Sequence, residues 1–150
     1  VIGMDMDMMI EISQYWDGEN WLIIYKDDDT ISYIFDNKFH RRDGPALIYY
    51  YKNGNVKIEK YCYNGKLHRI DGPAKVFYYY NGNVKFEEYL KNGNLNREDG
   101  PALIHYYKNG NIKFEEYWIK GKEIYPEDLP FELPLDSHEK KFMFQLKYGE

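Results

Sequence analysis

The chain has few of the residues and segments that mark several common protein classes. It contains one cysteine, Cys62, which excludes an intramolecular disulfide framework and is typical of a reducing compartment. It has no uninterrupted apolar run long enough to span a bilayer. Residues 1–10 lack a basic segment and carry Asp5 and Asp7, unlike a secretory signal. We therefore expect an intracellular protein of the cytoplasm.

Basic residues are also outnumbered. Lys and Arg total 20 against 25 Asp and Glu, so the net charge is −5, which disfavours nucleic acid as a partner because such binding neutralises phosphates. Aromatic residues are abundant, at 19% of the chain with 17 tyrosines, which argues against intrinsic disorder. A length of 150 residues suits one domain.

The sequence repeats itself every 28 residues. Asp-Gly-Pro-Ala begins at 43, 71 and 99, and Asn-Gly-Asn begins at 53, 81 and 109. An earlier, degenerate copy of the repeat is marked by Asp17-Gly18 and Asp36-Asn37-Lys38. These motifs divide a single domain into an N-terminal capping strand (1–16), a degenerate repeat (17–42), three repeats (43–70, 71–98 and 99–125) and a C-terminal capping tail (126–150).

Each repeat is predicted to be a β-hairpin. Turn signals recur about every ten residues between stretches rich in Tyr, Val, Ile and Phe. The fold class is therefore all-β, an elongated single-sheet array of stacked hairpins. A three-residue loop, 80–82 with Gly82 left-handed, pairs Tyr78 with Val84 and Val76 with Phe86, all apolar. The corresponding predicted pairs are Tyr50–Val56, Ile48–Ile58, Tyr106–Ile112 and Ile104–Phe114.

That register leaves Tyr89 out of phase with Phe86, three residues before it. A β-bulge near Glu87-Glu88, and near its equivalents in the other copies, would return the tyrosine to the packed face.

The motif Arg-x-Asp-Gly-Pro is interpreted as structural. Gly allows unusual backbone angles, Pro fixes φ, and the Asp carboxylate can accept local bonds or pair with the Arg. The alternative is an arginine ladder that binds an acidic partner. The motif residues are Arg41, Asp43, Gly44, Pro45, Arg69, Asp71, Gly72, Pro73, Arg97, Asp99, Gly100 and Pro101.

No catalytic, cofactor or metal site is predicted. The three serines lie outside any Gly-x-Ser-x-Gly turn, and Cys62 is not repeated. His40 and His68 occupy equivalent repeat positions, about 10 Å apart if each repeat contributes two strands. That separation is too large for a shared zinc ion. We expect the protein not to be an enzyme.

The repeated aromatic positions form the candidate interaction surface. They either stabilise the sheet through cross-strand contacts or bind a partner, since aromatics are enriched at interfaces. His105, which replaces an aromatic residue of the series, is interpreted as a surface substitution. The surface comprises Tyr51, Tyr79, Tyr107, Tyr49, Phe77 and His105.

The two ends are expected to cap the array. Residues 10–12 can pair as an extra strand beside 21–25. In the tail, Asp136-Ser137 can cap a short helix that runs to Lys147, whereas alternating Phe142, Phe144 and Leu146 favour a strand. Either form would cover the last repeat or meet a second copy of the chain.

The Asn-Gly turns, the Glu-x-Tyr-x-x-Asn-Gly pattern at 87–93 and the stretch Lys66–Ala74 resemble MORN repeats. The likeness is strongest to the divergent variant of bacterial antitoxin-like proteins and large DNA viruses, and it covers about 17–125. It implies an elongated scaffold, dimerisation or docking element, located in the host cytoplasm if the chain is viral.

The expected function is a non-catalytic scaffold that binds a protein partner or forms a homodimer. One alternative is an antitoxin-like inhibitor of a toxic protein. Another is a peripheral phospholipid-binding module, because lipid binding has been proposed for some MORN proteins. The negative net charge argues against membrane contact.

Overall fold

The computed structural model describes residues 11–128 and residue 146; apart from Leu146, the predicted helix or strand of the tail lies outside these residues. The described chain is built from short antiparallel strands. Their bounds are β1 Glu11–Trp16, β2 Trp21–Lys26, β3 Thr30–Phe35, β4 Lys38–Phe39, β5 Leu47–Tyr50, β6 Val56–Lys60, β7 Cys62–Tyr63, β8 Lys66–Leu67, β9 Lys75–Tyr78, β10 Val84–Glu88, β11 Leu90–Lys91, β12 Asn94–Leu95, β13 Leu103–Tyr106, β14 Ile112–Ile119 and β15 Lys122–Ile124. A 3₁₀ turn, Pro126–Asp128, follows.

One open antiparallel sheet dominates the fold. Its strand order is β1-β2-β3-β5-β6-β9-β10-β13-β14-β15, with β4 beside β3. Each repeat adds one hairpin to this sheet, namely β5–β6, β9–β10 or β13–β14. The prediction of an all-β array of stacked hairpins is therefore confirmed.

Short hairpins form a second row beside the main sheet. Strands β7–β8 and β11–β12 are separate two-stranded sheets. Each turn bonds to the hairpin before it, as Gly93 N donates to Leu67 O at 2.8 Å and Gly121 N donates to Leu95 O at 2.8 Å. Hydrogen bonds therefore join neighbouring repeats both within the main sheet and along the row of short hairpins. This is expected of an array stabilised by nearest-neighbour contacts.

The long hairpins turn as predicted. Gly82 has φ of 89°, Tyr79 N donates to Asn83 O at 2.8 Å, and Gly82 N donates to Tyr79 O at 2.9 Å. This is a three-residue loop with a left-handed glycine, whose positive φ a side chain would strain. The predicted Tyr78–Val84 pair is present, as are Tyr50–Val56 and Tyr106–Ile112.

The register beyond this pair differs from the prediction. The ladder shifts by one residue after Val84, so that Phe86 lies opposite Phe77 and Glu87 lies opposite Val76. The predicted Val76–Phe86 pair is therefore wrong, and the other two copies shift in the same way. Glu59 lies opposite Ile48 in place of Ile58, and Glu115 lies opposite Ile104 in place of Phe114.

The bulge thus lies at Lys85 and its equivalents, immediately after the turn. Pairing is regular through Glu87 and Glu88 on both sides of β10, so the bulge predicted there is wrong. The observed position places Phe86 beside Phe77 and lets Glu87 accept a hydrogen bond from Tyr106. Both interactions involve neighbouring strands.

The core is thin and repeats along the array. Ala46, Ala74 and Ala102 are fully buried, and their backbones bond to strands on both sides. Ala74 N donates to Glu88 O at 2.9 Å, while Tyr61 N donates to Ala74 O at 2.8 Å. The other buried apolar residues are Leu22, Leu47, Cys62, Val76, Leu90, Ile104 and Tyr117.

At the N-terminal end of the described sheet, β1 pairs with β2 over six residues. The strand predicted around residues 10–12 is therefore present from Glu11 onward. Across the part of the chain that the structure describes, no helix has the length and apolar character needed to cross a membrane.

Candidate interaction surface

The main sheet has two faces of different chemistry, defined by alternation along the paired strands. The carboxylate face contains the row Ile48, Glu59, Val76, Glu87, Ile104 and Glu115. The ring face contains the row Tyr49, Ile58, Phe77, Phe86, His105 and Phe114.

On the carboxylate face, each glutamate accepts a tyrosine hydroxyl. Tyr78 Oη donates to Glu59 Oε2 at 2.8 Å and Tyr106 Oη donates to Glu87 Oε2 at 2.9 Å. Burial raises the pKa of both tyrosines, and the hydrogen bond to glutamate raises each pKa further. The phenols therefore remain protonated donors, and each bond links neighbouring hairpins.

The repeated arginines fold back onto their own motif. The Nε atoms of Arg41, Arg69 and Arg97 lie 2.8, 3.0 and 2.8 Å from an Asp Oδ1 two residues later. Each guanidinium also lies over a tyrosine ring, at 3.9 Å for Arg69 over Tyr61. The pKa of Asp71 is lowered, chiefly by its hydrogen bond from Arg69. These contacts favour the structural interpretation over an arginine ladder that binds a partner.

The motif glycine makes room for this arrangement. A Cβ on Gly44 would lie 2.8 Å from Cζ of Arg41, and one on Gly72 would lie 3.0 Å from Cζ of Arg69. The motif proline contributes its carbonyl, since Pro101 O accepts a bond from Arg97 Nη1 at 3.1 Å. The Arg, Gly and Pro positions therefore recur together.

The repeated histidine position supports the turn of the next repeat. His68 Nδ1 accepts from Asn92 N at 3.1 Å, and Asn96 Oδ1, at the equivalent position, accepts from Lys120 N at 2.7 Å. Asn92 and Lys120 both have positive φ, a conformation that is uncommon outside glycine and that asparagine adopts more readily than lysine. Sequence reasoning missed this role, although the replacement of His by Asn, another acceptor, was a signal for it.

His40 is the buried member of this series. Its Nδ1 accepts from Asn64 N at 3.1 Å, and its Nε2 lies 3.5 Å from Asp17 Oδ2. Both side chains are almost fully buried. Within residues 11–128 and residue 146, no three His, Cys, Asp or Glu side chains cluster as metal ligands would.

The ring face carries a continuous stack of aromatic side chains. Ring centroids are 4.1 Å apart for Phe77–Phe86, 5.0 Å for Phe86–His105 and 4.2 Å for His105–Phe114. The ring planes differ by 19°, 12° and 17°. Because the rings cover one another's faces, they present their edges, where the quadrupole is positive.

His105 lies in the middle of this stack, between Phe86 and Phe114. Its interpretation as a surface substitution missed this contact. Burial lowers the pKa of His105 below its usual 6.5, which favours the neutral ring. Sequence reasoning also missed Phe86 and Phe114 as members of the surface, because the predicted register placed them on the other face.

The predicted tyrosines Tyr51, Tyr79 and Tyr107 border the stack at its turn end. Tyr51 Oη donates to Tyr78 O at 2.8 Å, and Tyr79 Oη donates to Tyr106 O at 2.9 Å. These two tyrosines therefore join consecutive repeats, while Tyr107 in the last repeat is exposed.

Lysines line the same side of the sheet. The Nζ atoms of Lys57, Lys85 and Lys113 lie 5.7, 5.8 and 5.9 Å from the ring centroids of Tyr51, Tyr79 and Tyr107. Lys75 Nζ lies 4.9 Å from the Phe77 centroid and 3.0 Å from Glu88 Oε2. The predicted register would have placed Lys75 opposite Glu87.

A cleft of about 600 Å³ lies beside the second and third arginine motifs. Among its lining residues are Arg69, Asp71, Arg97 and Asp99. These four repeated residues are paired as Arg69–Asp71 and Arg97–Asp99, and Lys91 and Glu98 add one further charge of each sign to the lining. Repeated residues of this kind are typical of a boundary between two repeats, whereas a catalytic site usually contains residues that are not repeated.

Comparison with known proteins does not add a family to this description. No family model, curated protein or solved structure matches the chain.

Proposed function

We propose that this protein is a non-catalytic scaffold of the MORN-repeat type that binds a protein partner through its ring face. The observation that carries the proposal is the aromatic stack Phe77–Phe86–His105–Phe114 with its border of lysines. Aromatic residues provide large contact area with little loss of side-chain entropy on binding. The ring edges and the lysines both favour an acidic partner surface.

The repeated polar residues support a non-catalytic role. The arginines pair with aspartates, the glutamates of the carboxylate face accept tyrosine hydroxyls, and the histidine position accepts a turn N–H. Each of these groups already has a structural partner within the array. Catalytic groups by contrast are usually few and converge on one site.

The lysines also favour a second candidate, a peripheral phospholipid-binding module. Lys57, Lys85 and Lys113 recur every second strand of the sheet, which spaces them by about 10 Å. A regular row of cations attracts an anionic bilayer surface even when the whole chain is acidic. We rank this candidate second because the chain as a whole carries a net charge of −5, which opposes its approach to an anionic bilayer.

The test compares two triple variants of equal charge. Lys57→Glu, Lys85→Glu and Lys113→Glu reverse the lysine border, whereas Lys66→Glu, Lys91→Glu and Lys122→Glu reverse three exposed lysines of β8, β11 and β15. The proposal expects affinity capture from native cells, read by mass spectrometry, to recover a partner with wild type and with the second variant only. Recovery of the same partner by all three proteins would contradict the proposal.

Flotation with vesicles containing anionic phospholipid tests the second candidate. Flotation that depends on Lys57, Lys85 and Lys113, together with no captured protein, would replace the scaffold with the lipid-binding module.

A further inference from the structure

The outer edge of β1 has hydrogen-bonding groups directed away from the sheet. Asp17 N donates to Asn20 O across the β1–β2 turn at 3.2 Å, and bonded pairs alternate in an antiparallel ladder. The N–H and C=O groups of Ile12, Gln14 and Trp16 therefore point away from β2. Of the residues that the structure describes, β1 pairs only with those of β2.

This edge lacks the features that usually prevent edge-to-edge pairing. Its sequence, Glu-Ile-Ser-Gln-Tyr-Trp, has no proline or lysine, and its six-residue register with β2 has no bulge. Natural edge strands are usually short, charged, bulged or interrupted by proline. The charge of Glu11, at the start of the strand, is already paired with Lys26 at 3.3 Å. Strand β15, by contrast, has three residues, of which two are charged.

Apolar side chains are also exposed at this end. Ile12 is 66% exposed, Trp16 is 48% exposed and Trp21 is 63% exposed. The β1–β2 register places Trp16 opposite Trp21 and Ile12 opposite Tyr25 on the ring side of the sheet. A second strand along β1 would cover part of this apolar surface.

We propose that β1 pairs antiparallel with β1 of a second copy of this chain, about a twofold axis at Gln14. In this register Gln14 faces Gln14 of the partner, while Ile12 of each copy faces Trp16 of the other. With this axis, Ile12, Gln14 and Trp16 of both strands, whose backbone groups point outward, all take part in hydrogen-bonded pairs. A slip by two residues, with Ser13 at the axis, loses one bonded pair and sets Ile12 against Gln14.

The self-pairing follows from the strand alone and does not depend on the protein-binding role proposed above. A twofold axis perpendicular to the sheet keeps both ring faces on the same side. The dimer is thus one continuous sheet with a doubled ring surface. A partner with two acidic sites would bind it with avidity.

Cysteine cross-linking in the full chain tests the register. In a bonded antiparallel pair the Cα atoms lie about 5.5 Å apart, within the range for a disulfide. Gln14→Cys should therefore give a covalent dimer under mild oxidation. Ser13→Cys is the matched control and should form no covalent dimer, because residue 13 would face Tyr15 of the partner. Wild type provides the background, since its Cys62 is buried.

Sedimentation of the purified proteins over a range of concentrations tests the association itself. Wild type should show a concentration-dependent dimer. Gln14→Pro should lose it while keeping its circular dichroism spectrum, because this N–H is not used within the sheet. Cross-linking of Ser13→Cys in place of Gln14→Cys would overturn the register. A wild-type monomer at all concentrations, or a dimer unaffected by Gln14→Pro, would overturn the pairing. None of these measurements involves the partner-capture test.

Discussion

The two faces of the sheet use aromatic residues in opposite ways. On the carboxylate face, a tyrosine such as Tyr78 directs its hydroxyl to a glutamate of the neighbouring hairpin. On the ring face, Phe77, Phe86 and His105 contact one another through their ring planes and leave their edges exposed. A repeated aromatic residue therefore does not by itself show whether it stabilises the fold or binds a partner. The groups that its side chain contacts distinguish these two roles.

Truncating one residue on each face should give the largest difference. Ile104 on the carboxylate face is 6% exposed, and Phe114 on the ring face is 41% exposed. Ile104→Ala should cost about 2–5 kcal/mol of unfolding free energy because it leaves a cavity. Phe114→Ala should cost about 1 kcal/mol, since much of the ring is already in water.

Chemical denaturation of both variants measures these values. Equal losses at the two positions would show that the faces do not differ in their contribution to stability.

The histidine position should have a smaller effect that depends on the acceptor. His68→Leu removes the acceptor for Asn92 N and should cost about 1 kcal/mol. His68→Asn, which copies Asn96 of the next repeat, should retain most of that stability. Thermal unfolding of the two variants makes the comparison, and equal losses for Asn and Leu would contradict the acceptor role.

The smallest expected effect is a pH dependence of the stability contributed by His105 on the ring face. Burial lowers the pKa of His105, so the unfolded chain binds this proton more tightly than the folded one. Stability from His105 is therefore present above its ordinary pKa of 6.5 and declines as the pH falls below it.

His105→Phe, which restores the residue type of Phe77, removes this titration. We compare the unfolding free energies of variant and wild type by denaturation at pH 5 and at pH 8. The variant's value relative to that of wild type should be higher at pH 5 than at pH 8. The wild type supplies the control, because the facing groups Glu88, Glu116, Lys85 and Lys113 are present in both proteins. A constant difference between the two proteins would show that His105 does not titrate in this range.

Much of the fold followed from local patterns. The Asn-Gly-Asn motif predicts a three-residue loop with Gly82 left-handed, and the structure has it. The pair adjacent to the turn, Tyr78–Val84, was also predicted correctly. These features depend on residues within one hairpin, where turn geometry controls the pairing.

The candidate surface was predicted in part. Tyr49, Phe77 and His105 do share one face, but Phe86 and Phe114 join them because of the bulge at Lys85 and its equivalent. A pattern of apolar alternation cannot place that bulge, since Val84 and Phe86 look like members of one face. Its position depends on contacts with adjacent strands, such as Tyr106 with Glu87.

By itself, the amino-acid sequence determined the 28-residue period, the hairpin in each unit and the location of the turns. Short-range signals are enough for these, because glycine, asparagine and proline restrict the backbone locally. Only the tertiary structure decided which side chains form the carboxylate face and which form the ring face. A one-residue shift exchanges the two faces of a strand, and the hydrogen bonds and ring contacts that set it come from the neighbouring repeat.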